Sequence, residues 1–523
     1  MGSQGEFKIC VTDISGNALP CRIHIKQPDG STWMPPDVRD PKYSETEAPE
    51  ILLPGHYDRY LHLAHGGNLE SVHLNHGTAS FPVPEGEVQL FIARGHEFSP
   101  VTDRFAIKAG ETVTKEYTLQ RRVDLPSQGW FGGDMHTHFC RWQPSDDHVW
   151  ARMLMAEDIH AVNNMVYKHS GIVEAEQYAM GTEGEHHVGH HAGHHIVASG
   201  EEFRDDDLYG HMIAAGIEKV IEPISVGHQL GRCENYPLFS SVCDWTHEQG
   251  GIAGWAHGGT IIKLFESLPI EAALGKLDFV ENIQFNMFYG FMFWYRLLNC
   301  GLRLACTGGS DFPFSAALLA PWYPNLGLDR TYVQLEGEFD YQKWIEGIRH
   351  GRTFATNGPL LTFTVNGQPE GSEVRLEPSD DVVEVVARAV CNYGLDCVEI
   401  VRNGAVVRHV EAKGGQTEIE CAERVRLDES SWFAVRTRGY VQPETYGGKA
   451  VWNLHAHSSP IYVLKGEQPI AVKADLTAMA DYLRMIRVMY RKRGTFKSDE
   501  QWEELLSNID QAISVYETRL FAS

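Results

Sequence analysis

The chain has 523 residues, 43% hydrophobic and 22% charged, a globular composition with too much chain for a single core. Its formal net charge of −25 argues against a phosphate-backbone partner, which normally needs a basic face. The most apolar run, Phe285 to Leu298, is interrupted by Asn286, Gly290 and Arg296 and falls short of the roughly 20 residues a membrane span needs.

Met1 to Glu6 leads directly into a strand-like segment, so a cytoplasmic location is expected unless a leader was removed. Residues 1–125 read as an N-terminal β-sandwich. Phe7 to Val11 and Arg22 to Ile25 alternate, and turn signals at Asp13 to Asn17 and Pro28 to Gly30 separate them. Val88 to Ala93 and Thr112 to Leu119 add further strands, and Trp33 to Pro54 reads as a long loop.

The texture changes at Pro126. Over 126–328 short apolar runs alternate with helix-length segments, which predicts β/α architecture, with closure extending to about 360. Ile252 to Ala256 and Leu302 to Cys306 look like buried strands that end on His257 and on Ser310-Asp311. In β/α barrels the carboxyl ends of the strands carry the chemistry. Residues 360–468 turn β-rich again, with Asn403-Gly404 as a hairpin signal. Residues 469–523 predict a helical hairpin, from apolar repeats at Leu476, Met479, Leu483, Ile486 and at Leu505, Ile509, Ile513, Tyr516. Gly494 separates the helices, and Ser498 with Gln501 suggests a capping box. The pair is expected to pack on the body or to mediate a homo-oligomer. The ten cysteines never form a CxxC pair and read as reduced thiols.

Histidine is the outlier, with 26 copies. In Gly133-Asp134-Met135-His136-Thr137-His138, two histidines at spacing two on a strand face the same side, so both can reach one ion. His169, Glu202, His211, His257 and Asp311 follow, each at the end of an apolar run or in a loop beside one. Any one of them could be an ordinary buried or surface side chain. Together they predict a metal site.

These elements (GDMHTHF, Gly200 to Phe203 with Gly210-His211, AHGG and TGGSD) resemble the PHP (polymerase and histidinol phosphatase) metallohydrolase superfamily. They are most similar to its carbaryl-hydrolase-like (CehA/McbA-type) branch. The segments Leu297 to Gly301 and Gly351 to Pro359 extend the resemblance, which covers roughly residues 10 to 375. It implies a distorted PHP-type β/α barrel with a β-sandwich before it, within a multidomain α/β chain. It also implies two or three divalent ions (Zn, Mn or Fe) held by His136, His138, His169, Glu202, His211, His257 and Asp311, with Glu202 bridging.

Three departures stand out. Phe312-Pro313-Phe314 follows Asp311 where the family has a histidine ligand, and Lys168 replaces a carboxylate before His169. The acidic residue after the HxH pair falls at the long spacing of Asp146 or Asp147. These bear on a third ion more than on the first two.

The run Glu185 to His195 carries paired histidines every four residues, either a flexible flap or a lid supplying His190, His191, His194 and His195 as supplementary ligands alongside Asp146. Lys168, Glu202 and His257 are the residues expected to act directly in catalysis, Lys168 or a histidine of that run protonating the leaving group. The expected reaction is hydrolysis of an ester, amide or carbamate of a small hydrophobic substrate, with no nucleic-acid or membrane partner. Few basic side chains (Arg204, Arg232, Lys263) adjoin the motifs to bind a phosphate. The alternatives are a phosphoesterase of the same superfamily, and a non-catalytic binding protein with a structural metal.

Overall fold

The computed structural model describes residues 3–27, 29–32, 51–52, 72–142, 144, 146–169, 172–175, 177–178, 188–191, 195–227, 234–259, 266–313, 326–377, 379–441 and 452–522. Residues 51–52, 148–149, 169, 172, 174, 188–191, 452 and 522 are described by backbone alone. The chain is mixed α/β, mostly sheet, in several sheets. No described helix is long and apolar enough to cross a membrane.

The first region holds β1 (Gln4–Thr12), β2 (Cys21–Lys26), β3 (Ile51–Leu52), β4 (Val72–Leu74), β5 (Thr78–Pro84), β6 (Gly86–Ala93), β7 (Val101–Ile107) and β8 (Thr112–Thr118). They form a sheet in the order β5-β1-β8 and another in the order β3-β4-β2-β6-β7. Alternation in β1 sends Phe7, Ile9 and Val11 into a core shared with Ile23, Leu90 and Ile92 of the second sheet. Apart from β3, the Trp33 to Pro54 loop lies outside the described residues.

The second region runs β9 (Trp130–Thr137), α1 (Asp146–Ala156), β10 (Ala161–His169), β11 (Ile172–Glu174), β12 (Val188–His191), β13 (His195–Asp205), β14 (Gly210–Ala215), α2 (Phe239–Glu248), β15 (Ile252–Trp255), α3 (Leu268–Ala273) and β16 (Phe279–Gln284). It continues with β17 (Met287–Phe288), α4 (Trp294–Asn299), β18 (Ala305–Gly308), β19 (Arg330–Gln334), α5 (Tyr341–Arg349) and β20 (Thr353–Thr356). Strand pairing runs β18-β16-β15-β14-β13-β10-β9-β19-β20. The pairs β9–β10, β10–β13, β15–β16 and β16–β18 are parallel, as β/α texture predicts. The pair β13–β14 is antiparallel because only four residues (206–209) turn the chain, too few for a crossover helix, and β14–β15 is antiparallel as well, across the longer connection that carries α2.

A parallel bridge between Thr137 and Phe312 joins the segment after β18 to the end of β9. Asp311 N donates to His136 O (2.7 Å) and His138 N to Phe312 O (2.6 Å). Inside these strands Met135, Met165, Ala198, Ile213 and Phe279 form one core with Trp344, Ile345 and Ile348 of α5. Gly133 is required there: a Cβ would stand 2.5 Å from the Trp344 ring and 2.9 Å from Ala161 O.

The third region comprises β21 (Leu360–Val365), β22 (Glu373–Leu376), β23 (Val382–Val390), β24 (Leu395–Arg402), β25 (Ala405–Glu411), β26 (Glu418–Arg426), β27 (Ser431–Val441), β28 (Trp452–Ser458) and β29 (Ile461–Lys465). One sheet is β21-β23-β26, and β28 pairs with β20, so the other is continuous with the central strands. Asn403 (φ 47°) and Gly404 (φ 83°) make the tight turn between β24 and β25.

The tail is α6 (Lys473–Arg493) and α7 (Asp499–Ala522), which pack on the central region. Leu476, Leu483, Tyr490, Ile509 and Tyr516 join Tyr209, Phe239 and Trp255 in one core. Tyr516 Oη donates to Pro269 O (2.8 Å) and Arg519 to Cys300 O (2.7 Å). Half the expected capping box forms: Gln501 N donates to Ser498 Oγ (3.4 Å), while Gln501 Oε1 accepts from Lys497 N (2.8 Å). The described cysteines are free thiols.

Candidate metal centre

Five strands or strand ends deliver polar side chains to one place. His136 and His138 leave the end of β9, and Glu202 lies near the end of β13. Because β14 runs back antiparallel, His211 at its start faces Arg204 in register and comes to the same end. His257 follows β15 at φ 56°, and Asp311 follows β18 at φ 52°. All six are buried.

The first group is His136 Nε2, His138 Nε2, Glu202 Oε2 and Asp311 Oδ1. The imidazole nitrogens are 3.1 Å apart, His138 Nε2 is 3.2 Å from Glu202 and 3.3 Å from Asp311, and His136 Nε2 is 3.8 and 3.6 Å from them. The second group is Glu202 Oε1, His211 Nδ1 and His257 Nε2, at 2.8, 3.4 and 3.2 Å. A tetrahedral ion bound at about 2.0–2.1 Å holds its donors roughly 3.3 Å apart. Both groups fit that spacing, and Glu202 offers one oxygen to each.

The tautomers agree with this arrangement. Each imidazole turns one nitrogen inward and has an acceptor on the other. His136 Nδ1 meets Glu281 (3.1 Å), His138 Nδ1 meets Met165 O (2.8 Å), His257 Nδ1 meets Gln284 (2.5 Å) and His211 Nε2 meets Asp206 (2.7 Å). Such outer acceptors fix the ring and keep the inner nitrogen's lone pair for an ion. Glu202 Oε1 and Asp311 Oδ1 are buried yet accept no hydrogen bond among the described residues, the expected state of atoms that face a cation.

Charge points the same way. Burial alone would lower the His136 pKa, but Glu281, Asp311 and Glu202 outweigh it and hold it well above the ordinary imidazole range. Burial likewise opposes ionisation of Glu202, yet Arg204, His211 and His136 hold its carboxyl well below the usual range. Arg204 Nε donates to Glu202 Oε2 (2.6 Å), and its guanidinium lies 3.7 Å over the Tyr167 ring. Each carboxylate oxygen has two lone pairs, so Oε2 can serve both Arg204 and an ion.

Asp134 braces the centre from below. It accepts from Ser310 N (2.9 Å), Ser310 Oγ (2.5 Å), Gly327 N (2.8 Å) and His136 N (3.1 Å).

Several expected residues stand elsewhere. Tyr167 packs against His138 (4.6 Å between rings), so strand alternation sends Lys168 to the opposite face, away from the centre. Asp146 accepts from Trp142 N (2.8 Å) at the start of α1, and Asp147 pairs with Arg141 (2.6 Å). These carboxylates order the loop after β9.

His195 opens β13 and donates to Ile159 O (2.6 Å), seven residues or about 23 Å of strand from Glu202. In register, His190 lies opposite Ile196 and His191 opposite His195, so β12 also sits at the far end. The described part of the histidine-rich run, the backbone of 188–191 with His195, therefore lies at the end of β13 remote from the centre. The side chains of His169, His190 and His191, and all of His194, Arg232 and Lys263, lie outside the described residues.

Glu281, Gln284, Asp206 and Asp134 are what sequence reasoning missed. Asp134 was visible in the GDMHTH motif without a role, and nothing local distinguishes the other three. Comparison with family models, curated proteins and solved structures finds no match to this chain.

Proposed function

We propose that the chain is a hydrolase using two divalent ions (Zn, Mn or Fe), cleaving an ester, amide or carbamate bond of a small apolar substrate. The observation that carries this reading is Glu202, whose two oxygens face two separate sets of inward-turned imidazoles. The bridge from Thr137 to Phe312 supports reading the strands as a distorted PHP-type barrel, with the centre at its mouth.

Divalent ions bound to these residues would lower the pKa of a bound water to about 7 and polarise a substrate oxygen. The protein's own part is positioning. Asp311, His136 and His138 hold one side, His211 and His257 the other, and Arg204 fixes the rotamer of Glu202.

With Lys168 facing away, Tyr289 becomes the proposed donor to the substrate oxygen. Its hydroxyl is buried without a hydrogen-bond partner among the described residues, and its ring packs beside Gly258, next to His257. Burial, then the charges of Asp329, Glu281 and Asp311, keep it protonated. Two features favour a carbonyl over a phosphate substrate. Arg204 is committed to Glu202, and Phe285 lays an aromatic ring 6.1 Å from His257.

The test is metal counting by mass spectrometry, with kcat/KM for matched aryl esters, amides, carbamates and phosphoesters on the loaded protein. Two ions and a carbonyl preference are expected. A phosphoester preference replaces the substrate class, and a single inert ion rejects the enzyme reading.

A further inference from the structure

Beyond the metal centre, one face of the C-terminal sheet carries polar residues in cross-strand register. Arg436 on β27 stands opposite Glu399 on β24 and His457 on β28, and Arg438 stands opposite Cys397 and His455. A sheet face under another element would ordinarily be apolar. Here it is roofed by the turn 286–292, which leaves a cavity of about 700 Å³. That volume lies within the range of small-molecule sites, about 300–1,000 Å³.

The roof and floor are aromatic. Phe288 stacks on the His457 imidazole (4.7 Å, 9°) and meets Phe291 edge-on (4.9 Å). At the rim Phe291 and Met292 are 54% and 58% exposed, an unusual amount of large apolar surface for a region with no described covering element. The Arg436 guanidinium lies 5.0 Å from the Phe291 ring.

The polar end is cationic. Two guanidiniums share one carboxylate: Arg436 Nε is 2.6 Å from Glu399, and Arg438 is 3.9 Å from it. Asp396 also acts on Arg438 but does not line the cavity. Burial lowers His455 to about 4 and His457 to about 3, so neither adds charge at neutral pH. The trio Cys397, Glu399 and His409 has metal-ligand spacing, but with both arginines beside it the charge there disfavours a second cation. The local excess is positive, in a chain of net charge −25.

We propose that this cavity binds an aromatic carboxylate, its ring packed against Phe288 and Phe291 and its carboxylate on Arg438. Arg438 suits the role because its side chain is 54% exposed and not held by a close ion pair. Arg436, fixed by Glu399 and by Tyr295 Oη (3.4 Å), serves as the rigid wall. Such binding stands independently of what the metal centre hydrolyses, although Tyr289 lines the cavity and carries its hydroxyl toward the charges of that centre.

Calorimetric titration of the full-length protein with 2-naphthoate and with neutral 2-naphthamide tests this. Naphthoate is expected to bind at least about tenfold tighter, about 1.4 kcal/mol, because only the carboxylate makes a charge-assisted hydrogen bond to Arg438. Arg438→Gln should erase that preference while leaving naphthamide binding unchanged, and Phe288→Ala should weaken both ligands. His136→Ala, which disrupts the metal centre, should leave both affinities intact. Equal affinity for acid and amide overturns the proposal. So does naphthoate binding that survives Arg438→Gln but vanishes in His136→Ala, which would place the ligand on the ions. Should Phe288→Ala fail to fold, Phe291→Ala at the exposed rim gives the same readout.

Discussion

His136 and Glu281 meet at 3.1 Å, the imidazole Nδ1 against the carboxylate, on the side of the ring turned away from His138. Glu281 also accepts from His257 N at 3.0 Å, so one carboxylate orients a ligand from each of the two groups. Removing its charge should loosen both without deleting a ligand. Glu281→Gln is expected to weaken metal affinity about 10–100-fold, the usual cost of losing such an outer partner, with the fold retained. Competition against a chelator of known affinity, alongside circular dichroism, measures it. Unchanged affinity would show that the carboxylate is structural only.

Glu202 is the residue both groups share. Glu202→Gln places an amide nitrogen where one group needs an anionic oxygen, and it leaves Arg204 buried without its counter-charge. Metal counting should fall by at least one ion per chain, with turnover lost. His136→Ala or His138→Ala should likewise remove at least one ion and all turnover while the fold survives. Full activity in either histidine variant would sink the assignment of the β9 pair.

The candidate ligands were legible because each sits at the end of a strand-like run or beside one, and two share a strand face at spacing two. That is local information, available without any contact map. Asp206, Glu281 and Gln284 act across 5, 145 and 27 residues of sequence, and nothing near them in the chain signals a partner. The histidine-rich run shows the opposite case: its local pattern is strong, but where its described backbone lies depends on β12 pairing antiparallel with the far end of β13, which nothing local signals. Lys168 failed on parity. One position earlier or later on β10 would have turned it toward His138.

Tyr289 offers a cleaner test of chemistry than any ligand, because its hydroxyl bonds to nothing among the described residues. Tyr289→Phe should leave both the metal count and the melting temperature unchanged. If the hydroxyl donates to a substrate oxygen whose charge grows in the transition state, kcat should fall about 10²–10³-fold with KM little altered. An equal loss in a ground-state affinity measurement would instead assign the hydroxyl to substrate binding.

Glu271, far from this chemistry, should govern how stability depends on pH. It lies in α3, is buried, and Oε2 has no hydrogen-bond partner among the described residues. Burial raises its pKa from 4.5 to about 8, against weaker opposing help from Ser267 and Lys276. Between those two values the folded protein holds a proton that the unfolded chain releases, so stability falls as pH rises. The contribution is complete below about 4.5 and is lost progressively up to about 8. Glu271→Gln removes the ionisation while keeping the shape. Relative to the parent, the variant should therefore gain stability steadily from pH 5 to pH 8, whatever constant offset the amide introduces. Glu370, also raised to about 8 by burial, is common to both proteins and cancels in the difference. Urea midpoints of the two proteins at four pH values across that interval measure the slope. A difference that stays flat with pH would mean that Glu271 finds a partner or water on ionising.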